Sequence, residues 1–217
     1  MTVKKPYKII ILGPAASGKG TQTEMLSEKL NIPTISAGQL LREEIKKETK
    51  IGIEIKDKMK TGELMPNSLT NKLMWERLQK ADCKNGFILD GFPRTRIQAK
   101  FLSQELGSKQ EINKVFFVNV SDKEVEHRLS GRRTCAKCGQ VYHIEFNPSK
   151  KENVCNECEG ELTQRADDTP EGIRERLRIF HTETIEVIEY YKEKGLLIEI
   201  NGEQSIEKVR DEIFKNF

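Results

Sequence analysis

The feature that most constrains this chain is an apolar run that ends in a glycine-framed loop. Residues 7–12 read as a buried strand, and Gly13-Pro14-Ala15-Ala16-Ser17-Gly18-Lys19-Gly20-Thr21 follows at once. Glycine takes positive φ without steric cost, so two glycines five apart let backbone N–H groups converge on one point. Residues 19–30 carry Met25, Leu26 and Leu30 at helical spacing. That helix adds the positive end of its dipole to the same point. Such a turn attracts phosphate, and Lys19 can reach the outer phosphates of a nucleotide. The usual phosphate loop has Ser or Thr directly after the lysine; here Gly20 intervenes and the hydroxyl arrives at Thr21. The bland alternative is an ordinary strand-to-helix turn.

The rest of the chain keeps the same rhythm. Short apolar runs at 32–35, 87–89, 115–120 and 196–200 alternate with helical patterns. These lie at 38–48, at 51–60, from Pro66 onward with Leu69, Leu73 and Leu78, and from Thr169-Pro170-Glu171 to about Lys194. The last carries Ile173, Leu177, Phe180, Ile188 and Tyr191 as its apolar residues. Five strands linked by helices predict a parallel sheet covered on both faces. Residues 39–74 hold more short helices than one crossover needs, and residues 133–165 are polar and rich in turn formers. Both read as insertions on the core.

A chain of 217 residues suits one α/β core with small insertions. Its net charge of +3 is too weak for a general nucleic-acid binder. No apolar stretch reaches signal-peptide or membrane-spanning length, so a cytoplasmic protein with no membrane partner is expected.

Four of the five cysteines fall in the pattern Cys135-x2-Cys138-x16-Cys155-x2-Cys158. Two such pairs place four thiolates at tetrahedral spacing, which is how structural zinc is held. A closed four-sulfur site has no open position for chemistry. Two disulfides or four reduced thiols are the competing readings. Cys83 stands alone and is expected to be a partly buried thiol.

Further segments stand in register with the loop: Ser36-Ala37-Gly38-Gln39-Leu40-Leu41-Arg42, Gly62-Glu63-Leu64-Met65-Pro66, and Gly86-Phe87-Ile88-Leu89-Asp90-Gly91-Phe92-Pro93-Arg94-Thr95. Gln98 follows, and the match runs on to Asn201-Gly202-Glu203-Gln204. With Gly18-Lys19-Gly20-Thr21, these segments make the chain resemble the adenylate kinases over nearly its whole length. The resemblance implies a P-loop kinase core at 1–36, 67–131 and 169–217. It implies an AMP-binding insertion at 37–66 and a zinc-binding lid at 132–168. The reaction implied is ATP + AMP ⇌ 2 ADP with Mg²⁺, in a monomer whose partners are ATP, AMP and ADP.

Residue by residue, the resemblance places Ala16, Ser17, Gly18, Lys19, Gly20, Thr21, Arg128, Arg132, Val141, Tyr142 and Gln204 at ATP. It places Ala37, Arg42, Glu63, Leu64, Met65, Gly91, Phe92, Pro93, Arg94, Gln98, Arg165 and Arg176 at AMP. Asp90 would hold Mg²⁺ through water. Lys19, Arg94, Arg132, Arg165 and Arg176 would be catalytic. The chemistry agrees: phosphoryl transfer is mostly positioning and charge neutralisation, and arginine binds phosphate through a planar fork. For the same reason His127, His143 and His181 are not assigned as bases. Arg174 and Arg178 have no support from the motifs.

The sequence departs from the family's usual pattern at five places. Ala15 and Ala16 stand for Pro and Gly, Ala37 for Thr, and Gln39 and Asn67 each for Asp. A UMP/CMP kinase or a GTP-preferring kinase therefore stays open as an alternative, although the amide of Gln98 suits an adenine edge. A zinc-ribbon module for nucleic acid is the reading from outside the enzymes.

Overall fold

A computed structural model describes residues 6–107 and 111–217. Five parallel strands form the central sheet: β1 (Tyr7–Leu12), β2 (Thr34–Ser36), β3 (Gly86–Asp90), β4 (Lys114–Asn119) and β8 (Leu197–Asn201). Their spatial order is β2-β3-β1-β4-β8. Strand alternation divides the core in two. Ile10, Leu12, Leu89, Val115 and Phe117 face one apolar cluster, while Ile9, Ile11, Ile88, Phe116 and Val118 face the other. The first cluster is capped by Met74 and Leu78 of α4 (Asn67–Leu78), Ala99 and Leu102 of α5 (Arg96–Leu106), and Val187 and Tyr191 of α8 (Ile185–Glu193). The second is capped by Leu26 of α1 (Lys19–Leu30), Val125 and Leu129 of α6 (Asp122–Gly131), Ile173 and Leu177 of α7 (Pro170–Ile179), and Val209 and Ile213 of α9 (Ile206–Phe214). A sheet buried on both faces needs near-continuous apolar strands, which is what β1 and β4 supply.

Several boundaries differ from the sequence reading. The second strand starts at Thr34 rather than Ile32. Asn31 ends α1 in the left-handed region with φ of 52°, and the Ile32 N–H still turns back to Ser27 O. Pro33 has no N–H to give, although its carbonyl accepts from Ile88 N at 2.9 Å. In α1, Gln22 and Thr23 are buried beside Leu26, whereas Met25 and Leu30 are only half-buried. The long helix expected to run to about Lys194 is two α-helices joined by a π-turn over Phe180–Thr184. The wider turn rotates α8 about the axis relative to α7. Ile173 and Leu177 therefore join one side of the sheet, while Phe180, Ile188 and Tyr191 join the other. Cys83 is buried rather than partly buried, with its sulfur 3.2 Å from Arg77 Nη1.

Between β2 and α4 run α2 (Ala37–Lys46) and α3 (Lys50–Lys60). Thr49 caps α3 by accepting the Gly52 N–H at 3.0 Å. Leu41, Ile55 and Met65 form a small cluster of their own, with Leu69 and Leu73 of α4 packed on it. The α4 helix thus divides its apolar residues between this cluster and the main core. Between α6 and α7 lies a second sheet, β5 (Arg132–Cys135), β6 (Val141–His143) and β7 (Leu162–Thr163), antiparallel in the order β6-β5-β7. Its cluster is Cys135, Tyr142, Cys155 and Leu162. Among the described residues no helix is long and apolar enough to cross a membrane.

The separate cluster around Ile55 generates a first expectation. Ile55→Ala should destabilise it by about 2–5 kcal/mol, the usual cost of emptying a buried aliphatic site. Hydrogen exchange should show lost protection in α2 and α3 and unchanged protection in β1 and β4. Equal losses everywhere would mean that the two helices do not open as a unit.

Candidate active site

The carboxyl ends of β1, β2 and β3 open into one cleft of about 1430 Å³. That exceeds the roughly 300–1,000 Å³ of a typical single-ligand pocket and leaves room for two nucleotides. Its floor is the loop after β1. Gly13 has φ of 148° and Gly18 has φ of 93°. A Cβ on Gly13 would run into Val118 O and Ser17 Oγ, so the tight passage over β4 requires glycine. The first α-helical bond of α1 is Gln22 N–H to Gly18 O, at 3.1 Å. The amides of Lys19, Gly20 and Thr21 come before it and have no intrahelical acceptor. They form a helix N-terminus with no side-chain cap, which is a seat for an anion.

Lys19 Nζ turns back on the loop, donating to Pro14 O at 2.5 Å and Ser17 Oγ at 3.3 Å. Burial lowers its pKa to about 8; nearby Arg94, Arg132 and Arg176 push the same way, and Asp90 opposes them. Burial likewise lowers the pKa values of Arg42, Arg94, Arg165 and Arg176, and for all but Arg94 the neighbouring arginines deepen the shift. Six cations thus crowd the cleft around Asp90. The pattern is that of a site whose natural partner carries several negative charges.

The carboxylates that pair with these arginines were missed by sequence reasoning. Asp168, with a side chain wholly buried, accepts from Arg132 Nε at 2.8 Å and Arg176 Nη1 at 3.0 Å. Asp167 pairs with Arg176 as well. The pair precedes the helix start at Thr169 and reads in the sequence only as part of a turn. Arg165 is held by Thr134 Oγ1 at 3.0 Å, on β5. By contrast, Arg174 and Arg178 are exposed and pair with Glu171 and Glu175.

Of the nucleotide-site residues that the resemblance assigns, all but Phe92 line the cleft. Phe92 is wholly buried in the first sheet cluster, so its side chain supports the wall from behind. Tyr142 lines the cleft, yet its ring is buried in the small cluster of the second sheet and its hydroxyl lies 3.4 Å from Cys155 Sγ. Arg128 bonds Glu124 Oε1 at 2.7 Å and Gly202 O at 2.9 Å. Its guanidinium carbon sits 5.8 Å from the ring of Phe146, an aromatic that is half exposed. Phe146 is a third residue that sequence reasoning missed; an aromatic in a polar segment was the available signal. Gln204 lines the cleft and donates to Glu212 Oε1 at 2.8 Å. At the other end, Gln98 is buried, accepts the Arg94 N–H at 2.7 Å and donates to Asn67 Oδ1 at 3.0 Å.

The four cysteines come together as well. Their Sγ atoms lie within 4.8 Å of one another, with the pairs Cys135–Cys158 at 3.5 Å and Cys138–Cys155 at 3.6 Å. Tetrahedral zinc with Zn–S bonds of about 2.3 Å spaces its sulfurs about 3.8 Å apart. Each Cys-x-x-Cys segment makes the same two turns. Gly139 N bonds Cys135 O and Glu159 N bonds Cys155 O, both at 3.0 Å. Cys135 N and Cys155 N bond Gln140 O and Gly160 O, both at 2.9 Å. All four are free thiols and fit a zinc ion.

Comparison with known proteins agrees with this geometry. The adenylate kinase family matches residues 11–196. The chain is 45% identical to an adenylate kinase of Caldicellulosiruptor bescii, over 96% of this chain and 97% of the relative. It is equally identical to adenylate kinases of Clostridium botulinum strain Loch Maree, over 96% and 95% of the two chains, and of Methanocella arvoryzae, over 95% and 96%. With a phosphate loop, a cation-crowded cleft and near full-length relatives all in agreement, the chain belongs to the adenylate kinase family.

Proposed function

We propose that this protein transfers the terminal phosphoryl group of ATP to AMP, reversibly, giving two ADP. The observation that carries the reading is the convergence of Lys19, Arg42, Arg94, Arg132, Arg165 and Arg176 on one cleft beside Asp90. So much buried positive charge is costly until polyphosphate arrives, and it then supplies the charge neutralisation that the transfer needs. In this reading the loop amides and Lys19 hold the outer phosphates of ATP. Arg128 and Phe146 flank its base, with Val141, Tyr142 and Gln204 completing that end. Arg42 and Arg94 hold the phosphate of AMP, Gln98 meets its base, and Ala37, Leu64 and Met65 line the wall around it. Arg132, Arg165 and Arg176 leave their carboxylate and hydroxyl partners to bind the moving group. Mg²⁺, held by Asp90 through water, would screen the phosphate charge.

The two segments flanking the cleft, 37–66 and 132–168, are the mobile parts in this proposal, each with an apolar cluster of its own. Zinc on Cys135, Cys138, Cys155 and Cys158 is structural: four thiolates saturate it and leave no site for substrate. The protein acts as a cytoplasmic monomer. Initial rates with AMP, UMP, CMP and GMP, each with ATP or GTP, test the reading. AMP with ATP should lead by a wide margin, and a pyrimidine acceptor ahead of AMP would overturn it.

Replacing Lys19 by methionine should lower kcat by about 10²-fold or more, because one preorganised cation aimed at developing charge is worth that much. The melting temperature should not fall. Turnover close to that of the unaltered enzyme would remove the phosphate-loop assignment.

The lowered pKa of Lys19 also fixes the sign of a proton linkage. Above pH 8 the amine is largely neutral in the free protein, and bound polyphosphate restores its charge. ATP binding near pH 9 should therefore take up a proton. Calorimetry in two buffers of different ionisation enthalpy measures this. Proton release, or no exchange at all, would contradict it.

Metal analysis should find one zinc per chain. The double variant Cys135→Ser, Cys138→Ser should lose it and melt earlier, while retaining substantial activity at low temperature. Complete inactivity in a variant whose lid stays folded would place the metal in the reaction.

A further inference from the structure

The acceptor end of the cleft contains a hydrogen-bond chain whose direction can be deduced from one backbone group. The Arg94 N–H donates to the Gln98 side chain at 2.7 Å, and a backbone N–H can only donate. The atom it meets is therefore Oε1, and the other end of the carboxamide is the NH₂ group. That NH₂ meets Asn67 at 3.0 Å, so Asn67 must present its oxygen. Thr95 Oγ1 already accepts the Gln98 N–H at 3.2 Å as the cap of α5, and it passes its own hydrogen to the same Asn67 Oδ1 at 3.0 Å. Both acceptor positions of the Asn67 oxygen are filled, and the direction of every bond is set by the first.

Gln98 is 2% exposed and lines the cleft, while Asn67 does not line it. One Nε2 hydrogen and one Oε1 lone pair of Gln98 remain for a ligand. An unrestrained carboxamide can turn over and offer these two in either order. Here, turning over would set Nε2 against the Arg94 N–H and Oε1 against the Asn67 oxygen. Order matters to the ligand. The 6-aminopurine edge presents an acceptor at N1 and a donor at the exocyclic nitrogen. A 6-oxopurine presents a donor at N1 and an acceptor at the oxygen, which is the reverse.

We propose that Asn67 is a positioning residue that, together with the Arg94 N–H, fixes the direction of the Gln98 carboxamide, and so strengthens the preference for 6-amino over 6-oxo purine monophosphates as acceptors. The assignment rests on the reading that Gln98 meets the acceptor base. Asn67 touches no substrate; it acts by adding, at the NH₂ end, to the cost that the Arg94 N–H already sets on the wrong direction of Gln98.

The test compares AMP with IMP, which share shape and phosphate and differ in this edge. Values of kcat and KM would be measured with MgATP for the unaltered protein, Asn67→Asp, Asn67→Leu and Gln98→Leu. The aspartate keeps an acceptor for both donors, so its AMP-over-IMP ratio of kcat/KM should stay within about threefold. Leucine leaves the Gln98 NH₂ short of an acceptor, and its ratio should fall at least about tenfold, through KM for AMP with kcat nearly unchanged. An unchanged ratio in Asn67→Leu overturns the assignment, as do equal losses in Asn67→Asp and Asn67→Leu. Asn67→Ala gives the same comparison should the leucine variant not fold. Gln98→Leu separates the two layers. A ratio that survives it removes the underlying reading of Gln98, whereas a ratio lost there but kept in Asn67→Leu removes the role of Asn67 alone.

Discussion

Mutual repulsion among buried cations is the constraint around which this molecule is arranged. Guanidinium groups and an ammonium that crowd together in a partly dry cleft are unstable without counter-charge. The chain supplies that charge sparingly. Asp168 serves two arginines at once, Asp167 reinforces one of them, and the charge of Asp90 acts on the lysine. The cluster of six cations is left short of negative charge, which polyphosphate makes good. The parallel sheet explains why the cations can meet at all. Strand carboxyl ends share one edge, and the loops leaving β1, β2 and β3 all open there.

Much of this was legible in the sequence because each signal was local. The apolar run of β1, the two glycines of the loop and the Asp90–Arg94 segment each report on their own neighbourhood. So do the paired cysteines, and they meet in space as their spacing requires. What was not legible depends on long-range partners. Nothing near Asp167 and Asp168 in sequence announces that Arg132 approaches from another element. The π-turn at Phe180–Thr184 is invisible to a periodicity count, because residues on both sides of it are apolar. Phe92 carried a motif's authority, yet its ring belongs to the core. Motifs report backbone position, and the direction of a side chain depends on packing.

The two flanking segments are held together by different physics. The helical segment after β2 closes over Leu41, Ile55 and Met65, with α4 lending Leu69 and Leu73. It is a small apolar core leaning on a larger one. The strand segment after α6 buries little apolar material beyond Tyr142 and Leu162, and the remaining buried members of its cluster are cysteines.

Those cysteines therefore hold two offices. Cys135 and Cys155 are at once the filling of this segment's interior and half of the sulfur set that fits a metal. An oxidant that converts either thiol to an oxyacid would strike both functions in one event, removing a ligand and placing a polar group where the interior has no solvent. A leucine core of the same size would be indifferent to that chemistry. The order of the strand segment is thus exposed to the redox state of its surroundings in a way that the helical segment is not.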